Sequence, residues 1–399
     1  MLPRFVQIHT LTSYPGVLLN RDDAGFAKRL PFGGVVRTRI SSQCLKRHWR
    51  TYDGESSLEA LDVPASVRSR YTFQQQIVDP LVEEGLDADQ VRAATARLMK
   101  EVLGESAKAK KTKKDGEETA VLKTGQITVL GAPEIRYLRE EVKGALGEVS
   151  SEKEAEDAIT KRVKDKDFRK NLKALRHAAG LSAALFGRMV TSDLLARGDA
   201  AIHVAHAFTV HAQESESDYF SAVDELLEGS DELGSGHIGN VELTSGLYYG
   251  YVVVDLALLV SNLTGCEPDA WEGADRTLAA AVLERLSQIV ATVSPGAKLG
   301  STAPYAYAQA LMVEVGRHQP RTLANAFLRP VRGDDVLDAA WRALLDHVAE
   351  TDAVYPFEQQ RALIGPRVPP EARARIGAGE DVTSLPQLSS WVARAVGGA

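Results

Sequence analysis

The residues best suited to chemistry in this chain crowd into one stretch, Asn20 to Arg50, which reads NRDDAGFAKRLPFGGVVRTRISSQCLKRHWR. Eight basic residues (Arg21, Lys28, Arg29, Arg37, Arg39, Lys46, Arg47 and Arg50) stand there against Asp22 and Asp23. The stretch carries +6 and the whole chain −7, so the remaining residues stand at −13. A basic island on an acidic protein points to a local polyanionic partner. A solvated face is the alternative reading of any charge run, so the spacing matters.

Ile40-Ser41 reads as a helix start, with Ser41 as N-cap and Ile40 stapled onto Leu45. Leu45, Trp49 and Tyr52 then fall at i, i+4, i+7 and form an apolar stripe. Gln43, Lys46, Arg47 and Arg50 fall at i, i+3, i+4, i+7 on the opposite side. Packing of the first stripe turns the second outward. Ser41, Ser42 and the free amides of the first turn add an anion site. Such a row follows a phosphate backbone and reads no base edges, so it predicts affinity without sequence choice. An ordinary amphipathic helix with a basic outer face has the same spacing.

Other constellations are weaker. Asp22 and Asp23 beside Arg21 could hold Mg²⁺ next to a phosphate, which makes a metal-dependent endoribonuclease the rival reading. Salt bridging or a turn is the plainer role for them. His203, His206 and His211, read on a helix, and His237 lack acidic or cysteine partners at ligand spacing. These and His9 read as packing or hydrogen-bonding residues. Phe32-Gly33-Gly34 suits a turn or a close backbone approach. Pro295-Gly296-Ala297-Lys298 presents a lysine on a turn. Tyr219-Phe220 lies in a polar, acidic segment, where exposed rings could stack on bases; a helix burying Phe220, Val223, Leu226 and Leu227 competes with that reading. The chain has no G-x-S-x-G, P-loop or HExxH motif, and no cofactor is expected.

At 399 residues, 44% hydrophobic and 25% charged, the chain has the composition of a globular protein with two or three domains. The first ten residues show no secretory h-region, and the apolar run from Tyr251 to Val260 is short and interrupted by Asp255. Two cysteines, Cys44 and Cys266, form no disulfide framework. A cytoplasmic, membrane-free setting is expected.

The elements that must position the island are legible in part. Phe5 to Leu11 and Val35 to Ile40 read as strands, the latter alternating Arg37 and Arg39 outward. Leu247 to Leu256, Ile289 to Val293 and Ala306 to Val315 also read as strands, with a helix near Asp275 to Leu286. Strands and returning helices of this kind suggest an α/β (α+β), ferredoxin-like, RNA-recognition-type sheet. Residues 56–195 read as a mainly helical insertion, with helices over Asp89 to Leu103 and Glu152 to Ala179. The lysine-rich Lys108 to Glu118 reads as a loop.

Several blocks together resemble the CasC family, the repeated backbone subunit of the type I-E CRISPR surveillance complex, Cascade. They are Gln7-Ile8-His9, Leu19-Asn20-Arg21-Asp22-Asp23, Phe32-Gly33-Gly34, Arg39 to Arg47, and Ala184 to Met189. Val204 to Ala207, Asp218 to Asp224, Gly236 to Gly239, Pro295 to Lys298 and Gln319-Pro320-Arg321 continue the match. The resemblance implies a palm over 1–55, helical fingers over 56–195, a palm return helix over 196–211, a thumb over 212–244, and the rest of the palm over 245–399. It implies a non-catalytic subunit that grips CRISPR guide RNA through Arg21, Lys28, Ser41, Ser42, Gln43, Lys46, Arg47, Arg50 and Lys298. Met189, Tyr219 and Phe220 would lie near a kink in the guide. The implied partners are neighbouring copies of the chain, target DNA reached by guide pairing, and the large, small, guide-processing and 5′-handle-binding subunits. A recruited helicase–nuclease would cut the target. A generic single-strand RNA-binding protein is a further alternative.

Overall fold

The leading strand, Phe5–Val17, is buried on both faces over most of its length, with Val6, Ile8 and Leu11 fully enclosed. A computed structural model describes residues 2–104, 107–114, 117–147, 149–175, 180–188, 199–222, 237–379 and 381–397. They form two units: residues 1–60, 202–256 and 276–399, and residues 61–201 and 257–275.

In the first unit the leading strand pairs antiparallel with the long strand His237–Asp255 on one side and with Ala310–Gly316 on the other. Beyond the long strand lies a broken strand, Ile202–Val204 and Ala207–Thr209. With the helices Ser42–Arg50 and Thr277–Thr292 these strands make the ferredoxin-like arrangement, every pairing antiparallel. Strand Gln359–Ile364 extends one edge and the hairpin Arg29–Phe32/Val35–Ile40 the other. The hairpin turns at Gly33 and Gly34, both with positive φ, the backbone a two-residue primed turn requires. A Cβ on Gly33 would lie 1.7 Å from the Leu328 carbonyl oxygen, so that glycine serves packing within the chain.

The fold mixes helix with antiparallel sheet, as the pattern predicted, but several local expectations are corrected. Residues 202–209 are strands, not part of a return helix, because they complete hydrogen bonds to the long strand. Ile289 to Thr292 is the last turn of the helix Thr277–Thr292 and Val293 its C-cap, with Ile289 and Ala291 buried. Arg37 does not point outward. It is fully buried, and its guanidinium donates to the carbonyls of Phe32 (3.1 Å), Thr209 (2.9 Å) and Phe327 (2.9 Å). Val36, on the other face of that strand, is exposed instead. Tyr52 lies beyond the basic helix, which ends at Arg50.

The second unit is mainly helical. Ala88–Leu103, Ala132–Ala145, Glu152–Lys164 and Lys166–Ala174 enclose a core that includes Leu98, Leu138, Ile159 and Phe168. Asp87 and Ser151 cap two of these helices. Lys108 to Glu118 is not a loop: Ala107–Lys114 pairs with Glu117–Thr124 as an antiparallel hairpin. Among the described residues no helix is long and apolar enough to cross a membrane.

Polar residues on the buried face of the sheet require partners, and they find them around Glu314. Register places Glu314 directly across from Gln7 and Arg361, with His9 diagonally adjacent. Arg361 Nε and Arg321 Nη1 each donate to its carboxylate at 2.7 Å, and His9 Nε2 lies 3.2 Å away. The ionised Glu314 carboxylate can only accept, so His9 Nε2–H donates to it; Nδ1 of the neutral ring then accepts from the Tyr249 hydroxyl at 2.9 Å, which itself accepts from the Leu323 amide. Burial pulls His9 below its ordinary value of 6.5 despite Glu314. Burial opposes ionisation of Glu314, but hydrogen bonds from His9 and Arg321 prevail and hold its carboxyl well below the usual range.

Both shifts weaken the fold in acid. The unfolded chain takes up the His9 proton first, so stability falls as pH drops below about 6.5. Stabilisation from Glu314 is present above its ordinary 4.5 and is lost progressively below it. Urea midpoints measured from about pH 8 to about pH 3 should decline in these two steps. His9→Gln should shrink the upper one.

Candidate nucleic-acid interface

The basic helix forms where its spacing requires. Ser41 is extended, and its hydroxyl accepts from the Cys44 amide at 3.3 Å. Leu45 and Trp49 are buried, while Gln43 and Arg47 are exposed. Ser42, Lys46 and Arg50 are half-buried, and burial pulls the Lys46 ammonium below its ordinary value. The Lys46 side chain is therefore partly packed, with its ammonium partly withdrawn from water. Ser41 is itself buried with its hydroxyl committed to the cap, so it holds the helix start rather than facing outward. Cys44 packs near the Leu19 carbonyl, and burial pushes its thiol up, away from reactivity.

The Asn20–Lys28 loop is clasped to this helix. Asn20 Oδ1 accepts from the Ser41 amide at 2.9 Å, and the Asn20 carbonyl accepts from the Lys28 amide at 2.9 Å. Arg21 bridges Ala27 through the backbone and is exposed, as is Asp23; Lys28 is half-buried. Asp22 Oδ1 accepts from the Phe26 amide at 2.9 Å, which makes that carboxylate a turn former. Glu242, on the long strand, anchors the loop from the other side. It accepts from the Ala27 amide at 2.7 Å and pairs with Arg29. Sequence reasoning missed Glu242; its signal was a lone acid within the body of the strand, whose other acid, Asp255, stands at its end.

A third segment arrives from late in the chain. His48 Nδ1 donates to the Cys44 carbonyl at 2.8 Å, which leaves Nε2 to accept from the Gly296 amide at 3.3 Å. The Ala297 amide donates to the Leu18 carbonyl at 3.0 Å. These bonds bring the Pro295 to Lys298 turn beside the basic helix. Lys298 Nζ stands 5.7 Å from the centre of the Phe220 ring.

Phe220 lies in strand Glu214–Ala222, paired with the long strand, so the helical alternative for it is corrected. Its ring covers Gly239, where a Cβ would fall 2.3 Å away. Tyr219 is 64% exposed and Phe220 39%. Met189 lies outside the described residues. Its neighbour Arg188 is buried and paired with Glu134 at 2.7 Å.

The histidines take separate roles. His211 donates to the Ala212 carbonyl and accepts from the Leu247 amide, and His206 meets Arg39 at 2.9 Å. Among the described residues no group of three or more His, Cys, Asp or Glu could hold a metal ion.

The CT1975-like protein family matches residues 6–391. This chain belongs to that family. Two solved chains are similar over nearly its whole length. One, from a CRISPR RNA-guided surveillance complex in a pre-nicking state, is 28% identical, with 98% of this chain and 100% of that chain covered and a TM-score of 0.77. A second, from a CRISPR RNA-guided surveillance complex, is 25% identical, with 98% and 99% covered and a TM-score of 0.67. No curated protein matches the chain.

Among the arginines of the island, Arg37 should matter to stability far more than the outward ones. Arg37→Ala removes the donor from the Thr209 and Phe327 carbonyls inside the protein and from the Phe32 carbonyl nearer its edge, and leaves a cavity besides. It should cost about 3–4 kcal/mol in urea unfolding. Arg47→Ala, at an exposed site, should change stability by less than about 0.5 kcal/mol.

Proposed function

We propose that this protein is a guide-RNA-binding backbone subunit of a CRISPR surveillance complex. One observation carries the reading. The Asn20–Lys28 loop, the basic helix and the Pro295 to Lys298 turn are bonded together through Asn20, His48 and Leu18, and present Arg21, Lys28, Lys46, Arg47, Arg50 and Lys298 in one region. Cations at that density suit a sugar–phosphate backbone held without regard to sequence. Family membership and the likeness to chains of CRISPR RNA-guided surveillance complexes support the same reading.

The finer assignment is to type I-E and the CasC family, on the blocks that resemble it. In that role copies pack head to tail along the guide, a heterologous assembly whose length the RNA limits. Guide bases stay available for pairing with target DNA, so base pairing reads the sequence. The other subunits of the complex flank the filament, and a recruited helicase–nuclease cuts the target. The subunit itself is non-catalytic and cytoplasmic, and needs no cofactor. The turn-forming role of Asp22 supports a structural use of Asp22 and Asp23.

Expression of the tagged chain with its neighbouring genes and a CRISPR array, followed by sequencing of bound RNA, tests this. Guides of uniform length in a multi-copy complex are the expected result; RNA-free monomer would overturn it. Neutralising Lys46 and Arg50 together should weaken binding equally for unrelated RNAs and lower the salt slope by about 0.7 per lost phosphate contact. Mg²⁺-dependent RNA cleavage abolished by Asp22→Ala or Asp23→Ala would favour the endoribonuclease instead.

A further inference from the structure

The loop that delivers Lys298 continues into a segment that the grip does not use. Tyr305 and Tyr307 are 73% and 69% exposed, more than any other large apolar or aromatic side chains among the described residues. Exposed rings that lie together, rather than singly, mark a surface that can meet a partner.

The backbone beneath them is fixed at several points. Ser294 Oγ accepts from the Ala306 amide at 2.9 Å and donates to the Ala306 carbonyl at 3.0 Å. A single hydroxyl reaches both groups of one residue when that residue is extended, with its N–H and C=O on the same side. Tyr305 and Tyr307 flank Ala306, so extended geometry sends both rings to a common side. The Ala308 amide donates to the Ala291 carbonyl at 2.8 Å, and the Gln309 amide to the Leu11 carbonyl at 2.7 Å. Upstream, Gly296 is packed so tightly that a Cβ would lie 2.6 Å from Leu299 and 2.7 Å from Pro304. Ala303 holds a left-handed conformation, φ 39°, to make the bend between them.

We propose that Tyr305 and Tyr307 form a stacking platform for unpaired nucleobases of the single-stranded RNA held by the basic helix. The inference rests on the RNA-binding reading above. Three features select this occupant. Lys298 is the only charged residue between Ser294 and Gln309, so the loop carries no carboxylate to repel phosphate. The loop is bonded directly to the basic helix at His48–Gly296 and to the strip preceding Asn20 at Leu18–Ala297. Two rigid tyrosines offer π-faces to any base without choosing among them, which matches a grip that reads no sequence.

The test uses the full chain and single-stranded RNA carrying 5-iodouridine. Ultraviolet cross-links should map to Tyr305 or Tyr307. Tyr305→Ala with Tyr307→Ala should weaken binding about tenfold with an unchanged salt slope, because no phosphate contact is lost. Tyr305→Phe with Tyr307→Phe keeps the rings and should keep the affinity. Undiminished affinity and no cross-link at these positions, while the Lys46 and Arg50 substitutions still weaken binding, would overturn the platform and leave the grip standing. A change in self-association with RNA affinity per protomer unaltered would make the patch a contact between copies. Absence of RNA binding by the unaltered chain would overturn both readings.

Discussion

The leading strand sits in the interior of its sheet with both faces covered, and much of the first unit follows from that constraint. A strand so placed cannot satisfy a polar side chain with bulk water. Gln7 and His9 therefore need partners on neighbouring strands, and register supplies Glu314 from one side and Tyr249 and Tyr251 from the other. Glu314 in turn needs more positive charge than a neutral imidazole provides, and Arg321 and Arg361 bring it. Asp352 then balances the surplus by pairing with both arginines. A buried network of this kind adds little net stability over an apolar core, but loss of one member leaves a charge uncompensated. It links five elements far apart in sequence, and the loop that carries Arg321, which restricts the strand to one register.

The opposite face of the same strand supports the interface. Ile40, Leu45 and Trp49 line a small cavity with Thr10, Tyr14 and Tyr248, and Val290 and Val293 close it from the Thr277–Thr292 helix and its cap. Burying that face of the basic helix turns Gln43 and Arg47 outward. The helix thus obtains its orientation from the core and its charge from positions that the core leaves alone. The hydrogen bonds that join it to the Asn20–Lys28 loop and the Pro295 to Lys298 turn are nearly all to backbone groups. Asn20, Ser41 and His48 spend their polar atoms on positioning.

The likeness of Arg37 to its neighbours shows how charge alone misleads. Arg29, Arg37 and Arg39 read as equivalent members of a basic run. Arg29 is exposed and pairs with Glu242, Arg39 is half-buried and meets His206, and Arg37 is sealed among carbonyls. Burial pulls the Arg37 guanidinium below its ordinary value, yet it still donates three hydrogen bonds to neutral acceptors. A guanidinium can serve as a structural fork inside a protein as readily as it can grip phosphate outside one, and composition does not separate the uses.

Residues close in sequence determined the features that need only local information. The basic helix, its Ser41 cap, its Leu45–Trp49 stripe, the Gly33-Gly34 turn and the helices at Ala88–Leu103 and Glu152–Lys164 follow from spacing and propensity within about four residues. The mixed α/β class followed from the same periodicities. Features that depend on distant partners were decided by tertiary structure. Residues 202–209 form strands because the long strand offers unsatisfied backbone groups there. Arg37 turns inward because carbonyls from residues 209 and 327 converge on it. Lys298 reaches the basic helix because His48 accepts from Gly296, 248 positions away. Periodicity reports which face of an element is apolar. It carries no information about which carbonyl, carboxylate or ring the fold will bring opposite that face.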